Sequence, residues 1–503
     1  MESVISLKVK IINILANYPV ALLNSKNAEL LGACPLSRLE VKDHRLKTTC
    51  ILDISDQYVD VNHIGIFEDL ANSLGLKPEE ELKVSLLPFP KSLEYILKKI
   101  NNNVLLKDEI YTIIDDVKHN KILETELSAF VTALYINGLN IEETGFLCNA
   151  MIDIGDRLSF GKKEILDKHS IGGINGRVSM VIVPIIASLG YNIPKTSSRS
   201  ISSAAGTADA MEVLAPVSFK VDEIKHMIDQ VKGVITWEGE VDISPVDNTF
   251  IRIEHSLHIN PEGLMIASIL SKKKATGVTH LVIDIPIGSN VKVKDKEQGQ
   301  RLAKKFILIG RSLGIKTKAL LTDGEEPCGR AFGPSLEARE VLRLLEGKHF
   351  DNLGNKSCEI AGALLELVGG AQEGTGYKVA KETILSGQAL SKFKEIIKIQ
   401  GGNIFSSEQI KEAQYKTQVL SEENGKIDKL HVGYFTTIAQ IAGAPLDKQA
   451  GVLLFKEVGD NVKKGTLLYE VHSNSQDKLN QALEFIKENN PVTFEKIVLE
   501  EYS

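Results

Sequence analysis

Cysteine is scarce in this chain: five in 503 residues, at Cys34, Cys50, Cys148, Cys328 and Cys358, odd in number and with no C-x-x-C pair. That excludes a disulfide framework or a zinc knuckle as the organising element, and reduced, buried thiols are expected. Long apolar runs are missing too. The best candidate, residues 178–189, falls short of the roughly 20 residues a membrane-spanning helix requires. The opening segment places Glu2 and Lys8 in a strand-like alternation without the apolar core of a secretory leader, so a cytoplasmic location is expected. There is no surplus of positive charge. With 59 Lys and Arg against 66 Asp and Glu the net charge is −7, which argues against a general nucleic-acid binder. Cationic runs such as Lys272-Lys273-Lys274 are local. No internal repeat or low-complexity tract stands out.

What the chain does contain is ordinary for a globular protein, 43% apolar and 25% charged. Its length exceeds what one core organises and predicts three or four domains. Residues 1–87 alternate like strands at 7–11, 48–52 and 82–86, with short helical pieces such as 67–71, and predict a β-rich N-terminal domain. Pro88 and Pro90 punctuate a boundary, after which residues 88–163 turn helical. Asn140 with Glu143 has the spacing of a capping box ahead of Phe146, Leu147, Ala150 and Met151. Residues 164–345 read as α/β, with buried strands at 234–237, 281–285 and 317–321 and a helix-length run at 178–189, implying a largely parallel sheet. Residues 346–503 begin helical and turn strand-rich at 432–435 and 451–455, with a tight turn at 458–465. The predicted class is a multidomain α/β protein with a C-terminal α+β domain.

The chemistry concentrates in two small-residue loops. The first is Lys168-His169-Ser170-Ile171-Gly172-Gly173. The second runs Ser197-Ser198-Arg199-Ser200-Ile201-Ser202-Ser203-Ala204-Ala205-Gly206-Thr207. Phosphate oxygens accept from hydroxyls, from Lys and Arg, and from N–H groups that Gly and Ala leave uncovered, so both loops suit an oxyanion. Ligands of parallel sheets bind at the carboxyl ends of strands, where Lys168 falls. Ser179, on the first turns of the next helix, can face the same anion. His169 is the natural group to donate a proton near neutral pH. Ser268 and Lys272 are four apart, so a helix presents both on one face.

Asp167-Lys168-His169-Ser170 with Gly172-Gly173, the segment closing on Gly206-Thr207-Ala208-Asp209, and Ala267-Ser268-Ile269-Leu270-Ser271-Lys272-Lys273 occur in order. Together they resemble the thymidine phosphorylase family. The extra N-terminal domain is similar to that of its longer subfamily, which holds bacterial thymidine phosphorylases and archaeal AMP phosphorylases. The resemblance reaches Ala442-Gly443-Ala444-Pro445-Leu446-Asp447-Lys448 near the carboxyl end. It implies a pentosyltransferase: phosphate attacks the anomeric carbon of a nucleoside or nucleotide and releases the base. Inorganic phosphate is then a co-substrate, with no cofactor and no metal, and the expected assembly is a homodimer or larger homo-oligomer without nucleic-acid or membrane partners. By the same resemblance Lys168, Ser170, Ser179, Ser197 and Thr207 hold phosphate, and Lys168, His169 and the position of Asn260 are catalytic. Gly172, Ser198, Arg199, Ser200, Ile201, Ser202, Ser203, Thr207, Ser268, Lys272 and Lys292 line the nucleoside or nucleotide.

Two positions depart from the pattern. Where AMP phosphorylases carry a proton-donating aspartate this chain has Asn260, whose amide donates hydrogen bonds but transfers no proton. Where short thymidine phosphorylases carry a base-contacting arginine it has Ile253; Arg252 is adjacent, but a strand would turn the two to opposite faces. Overall similarity at 211–217, 279–284 and 322–324 leans towards thymidine or another pyrimidine nucleoside as substrate. The alternative is an AMP phosphorylase giving adenine and ribose 1,5-bisphosphate, with residues 200–203 offering donors for the 5′-phosphate. A non-catalytic nucleotide-binding homologue is a further reading. So is a phosphoribosyltransferase using Asp209 and Glu212 to hold magnesium.

Overall fold

The computed structural model describes residues 3–16, 18–172, 177–200, 203–240, 244–289 and 291–495. It divides into two compact units, Met1–Gly155 with Ser244–Ser271, and Asp156–Ile243 with Lys272–Ser503.

The first unit opens with six strands: β1 (Val4–Ile12), β2 (Val20–Leu23), β3 (Arg38–Lys42), β4 (Lys47–Ile54), β5 (His63–Phe67) and β6 (Glu81–Leu86). They close into a barrel in the order β1-β5-β2-β4-β3-β6. Closure follows from alternation: Leu7 and Val9, Leu39 and Val41, Cys50 and Leu52, Ile64 and Ile66, and Leu82 and Val84 fill one shared core. Four helices follow, Ser92–Ile100, Lys107–Lys118, Glu124–Asn137 and Ile141–Ile154. The last starts on the capping box read from the sequence. Asn140 accepts the Glu143 N–H at 2.8 Å, and the Glu143 carboxylate accepts the Asn140 N–H at 2.9 Å. Helix Asp247–Leu257 belongs to this unit although it lies, in sequence, within the stretch read as α/β. Residues 252 and 253 are therefore helical, not extended. Phe250 and Ile253, three apart, form the buried face, while Arg252 is exposed and pairs with Glu124 at 3.0 Å.

The second unit carries β7 (Leu166–Ser170), β8 (Ile193–Ser197), β9 (Gly233–Trp237), β10 (His280–Ile287) and β11 (Lys316–Asp323). β11, β10 and β7 form one parallel sheet, and β8 with β9 another. A parallel bridge between Ile165 and Asn192 sets β7 beside β8, so all five strands end on the same side. Helix Val178–Ser188 is apolar nearly all round, and the core encloses it from Val178 to Ala187, as a helix without a polar face requires. A four-stranded antiparallel sheet, in the order Ala331–Phe332, Gly451–Leu454, Leu467–Ser473 and Tyr415–Leu420, builds the C-terminal part.

Two local expectations are corrected there. Residues 432–435, read as strand, are the first turn of helix Val432–Ala442. Val432, Phe435, Ile438, Ala439 and Ala442 recur with helical period and are buried, a pattern that four residues alone cannot reveal. The turn read at 458–465 is instead two turns, at Gly459 (φ +89°) and Gly465 (φ +85°), around a short strand Asn461–Val462 that pairs with Gly425–Leu430.

Candidate active site

An excess of cations, most of them buried, gathers around the parallel strands β7, β8 and β10. Lys168 lies on β7 and is 3% exposed; among the described residues its ammonium group has no hydrogen bond or ion pair. Burial lowers its pKa, and the Asp284 carboxylate opposes that shift. Asp284, level with Ser170 across the sheet, accepts from the Thr322 hydroxyl at 2.5 Å and lies 3.7 Å from Lys356. Asp167, fully buried, faces Lys273 at 2.7 Å and Lys195 at 3.5 Å, and Lys195 also donates to the Lys168 carbonyl at 3.2 Å. Four ammonium groups, Lys168, Lys195, Lys273 and Lys356, thus meet two carboxylates. Buried charges are ordinarily matched, so this surplus calls for an anion. Burial also brings Lys195 down to about 7.

His169 sits at the edge of this cluster. Some of its surface reaches solvent, yet burial, followed by Lys273, Lys195, Lys272 and Lys168, pushes its pKa well below the ordinary value. Without a ligand the imidazole is neutral. That corrects the expectation of an acid ready at neutral pH: the cations that recruit an anion also repel the proton.

The second loop is tied to itself. Ser197 ends β8 level with Trp237 on β9, and Ser198 is exposed. Arg199 makes a two-pronged contact with Glu212 at 2.7 and 2.8 Å, reaches Asp209 at 3.3 Å, and lies 5.0 Å over the Trp237 ring. The Ser200 hydroxyl donates to the Ser203 carbonyl and lies 3.1 Å from the Ser203 hydroxyl, which donates to the Ala205 carbonyl at 3.0 Å. Asp209 Oδ2 accepts the N–H groups of Ser200 at 2.7 Å and Gly206 at 2.8 Å. Ile201 and Ser202 lie outside the described residues. Thr207 is buried at the start of the short helix Thr207–Met211, and Ser179 is buried on the first turn of Val178–Ser188. The Ser170 hydroxyl donates to the Gly172 carbonyl at 3.3 Å.

The remaining candidates are placed as follows. Lys292 is exposed, and its stem lies so close to Gly172 that a Cβ there would meet its Cγ at 3.0 Å. Lys272 is 3.7 Å from Glu238, the residue after β9. Ser268 is half-buried one turn earlier on the helix Glu262–Ala275. Asn260 belongs to the first unit, just ahead of that helix, where its amide donates to the Met265 sulfur at 3.4 Å. Ile253 is buried and cannot stand in for a base-contacting arginine.

Lys195, Asp284, Lys356 and Trp237 are not singled out by the sequence reading, and Asp167 and Lys273, though they stand in its motifs, are given no role there. A signal was present: Lys195 and Asp284 interrupt strands that are otherwise buried, where a charge has no structural reason to be. The magnesium site offered for Asp209 and Glu212 is not supported, since both carboxylates are taken up by Arg199, by backbone N–H groups and, for Glu212, by Lys448 at 2.9 Å. Among the described residues Glu340, His349 and Asp351 could converge on a cation. There, however, Glu340 already accepts from the Arg177 guanidinium at 2.7 Å and the Arg330 N–H at 2.5 Å.

Comparison with known proteins places the chain in a family. Models of the glycosyl transferase family match residues 93–155 (helical bundle domain) and 162–390 (a/b domain), and the pyrimidine nucleoside phosphorylase C-terminal domain matches residues 427–493. The AMP phosphorylase of Methanothrix thermoacetophila is 41% identical over 96% of this chain and 95% of its own. That of Methanococcoides burtonii is 40% identical over 98% of both. Among solved structures, anthranilate phosphoribosyltransferase from Thermus thermophilus superposes with a TM-score of 0.51 at 18% identity, covering 61% of this chain and 98% of that one, a likeness of fold. No helix among the described residues is long and apolar enough to cross a membrane. The relatives overturn the expectation of a pyrimidine nucleoside substrate: several that match nearly the whole chain at about 40% identity are AMP phosphorylases.

Proposed function

This chain belongs to the thymidine phosphorylase family, in the longer branch with the AMP phosphorylases, and on that premise we propose that it cleaves AMP with inorganic phosphate. The observation that carries the reading is the surplus of ammonium groups gathered around β7 and β8, in a chain with several AMP phosphorylases among its full-length relatives. Phosphate is held by Lys168 with the hydroxyls of Ser170, Ser179, Ser197 and Thr207. One of its oxygens attacks C1′ of the ribose, and the C1′–N9 bond breaks with its electron pair leaving on adenine. A proton neutralises the departing base, and ribose 1,5-bisphosphate remains. Holding both reactants replaces a collision by an oriented attack.

The neutral state of His169 fits this sequence of events. A phosphate dianion among the lysines reverses the local field, raises the imidazole's proton affinity and loads the acid only once the nucleophile is present. Asn260 has no transferable proton, so the acid role falls to His169. Gly172, Ser198, Arg199, Ser200, Ser203, Lys272 and Lys292 hold the nucleotide.

Initial rates with AMP, thymidine and uridine test the reading, each with phosphate and with or without magnesium. AMP is expected to be cleaved fastest, without need of magnesium. Faster release of thymine or uracil would refute it.

A further inference from the structure

The C-terminal part of the chain reaches the nucleotide loop through one lysine. Lys448 closes the motif Ala442-Gly443-Ala444-Pro445-Leu446-Asp447-Lys448, to which the proposed chemistry assigns nothing. Its turn is braced: Asp447 Oδ1 accepts from the Gln449 N–H at 3.1 Å and the Asn474 amide at 2.9 Å, and the Lys448 carbonyl accepts the Ser335 N–H at 2.9 Å. From there the Lys448 ammonium reaches Glu212 Oε2 at 2.9 Å, the same oxygen that accepts from Arg199 at 2.8 Å. Two further ties run the same way. Gln440 donates to the Ser203 carbonyl at 3.2 Å, and Ala204 is buried in the core of the C-terminal part. Arg199 is thus tied to the C-terminal part through its charge, Ser203 through its carbonyl and Ala204 through apolar packing.

We propose that Lys448, acting through Glu212, is a positioning residue that sets the place and the net charge of the Arg199 loop for a nucleotide carrying a 5′-phosphate. This rests on the AMP reading. The charge arithmetic explains why a lysine is needed. Arg199 and Lys448 balance Glu212 and Asp209, so the cluster is neutral and the guanidinium is shared rather than fully consumed. Removing Lys448 leaves one positive charge against two carboxylates. Glu212 then draws Arg199 in, and the cluster repels an approaching phosphate.

Trp237, the single tryptophan of the chain, lies under Arg199 and reports its position by emission independently of any substrate. Lys448→Met and Lys448→Arg are compared with wild type in the full-length enzyme, measuring Trp237 emission, the thermal unfolding midpoint, and KM and kcat for AMP and for phosphate. Lys448→Met is expected to shift the emission and raise the AMP KM by about tenfold. The phosphate KM and the midpoint stay close to wild type, and Lys448→Arg restores both readouts. Unchanged emission together with an unchanged AMP KM overturns the proposal. A loss shared equally by both substrates and the midpoint also overturns it, because it reports a structural role alone. If wild type does not cleave AMP but the emission shifts and is rescued by arginine, the coupling of Lys448 to Arg199 stands and the AMP reading falls.

Discussion

Alanine at Gly206 should cripple the enzyme through space rather than through backbone conformation. Gly206 has φ −86° and ψ 167°, which any residue adopts, so the substitution brings no torsional strain. The obstacle lies across the loop. A Cβ at this position would stand 2.6 Å from the Ser198 carbonyl oxygen, 2.8 Å from the Arg199 carbonyl carbon and 2.8 Å from the Ser200 nitrogen. All three are main-chain atoms, so no rotamer change relieves the contact. Ordinary contact begins at 3.4 Å, and 3.4 less 2.6 requires the loop to retreat by about 0.8 Å. That retreat strains the two N–H contacts by which Asp209 holds Ser200 and Gly206. Overpacking of this kind costs about 1–3 kcal/mol. A misplacement near 1 Å at groups that orient a substrate costs on the order of 10²-fold in rate. Gly206→Ala is therefore expected to lower kcat/KM for AMP by roughly 10- to 100-fold while the chain still folds. The matched control is Gly145→Ala in helix Ile141–Ile154, where nothing lies within 4 Å of the added carbon. It should leave activity intact and favour the helix by about 0.5–1 kcal/mol. Wild-type kcat/KM and an unchanged unfolding midpoint in Gly206→Ala would refute the reasoning.

Four further expectations follow from charge. Lys195, brought down to about 7 by burial, loses its proton as pH rises through that value, so kcat/KM for phosphate should fall more steeply above pH 7 in wild type than in Lys195→Met; coincident profiles would count against it. Its folded pKa lies below the ordinary 10.5, so between about pH 7 and 10.5 the unfolded chain binds the extra proton, and this group's contribution to stability rises with pH across that window, as urea titrations at several pH values can show. Glu143→Ala strands the buried Lys99 ammonium, now 2.9 Å from its carboxylate, and should cost about 3–5 kcal/mol in urea unfolding, much of it recovered when Lys99→Met is added; a loss below 1 kcal/mol would discount the pair. His169→Asn should lower kcat on AMP by about 10²–10⁴-fold and Asn260→Asp should not raise it; a marked gain in Asn260→Asp with an indifferent His169→Asn would move the acid to position 260.

What could be read in advance was whatever is local along the chain. The Asn140 capping box is a contact between residues three apart, so its spacing is its geometry. Helix Val178–Ser188 was legible because a run with no charged residue and apolar positions all round has nowhere to go but the core. Residues 432–435 were misread because four apolar-rich positions fit either period, and the deciding partners, Ile438, Ala439 and Ala442, come a turn and more later. Arg252 and Ile253 failed for the same reason. The two loops stood out because hydroxyls and bare backbone lie side by side in sequence, but a motif shows only that donors exist. It cannot show what already occupies them. The Ser200 and Ser203 hydroxyls bond within their own loop, and Arg199 is held by Glu212, thirteen residues on. The lysines that give the site its sign come from two strands and two helices: Lys168 and Lys195 from neighbouring strands, Lys273 and Lys356 from far along the chain, with Asp284 on a third strand. Their sum exists only after folding. So does its consequence for His169, whose residue type promises an acid while burial and the surrounding lysines lower its proton affinity. Composition can reveal that a loop is able to bind phosphate; which way its histidine's proton affinity is pushed depends on charges that sequence proximity does not record.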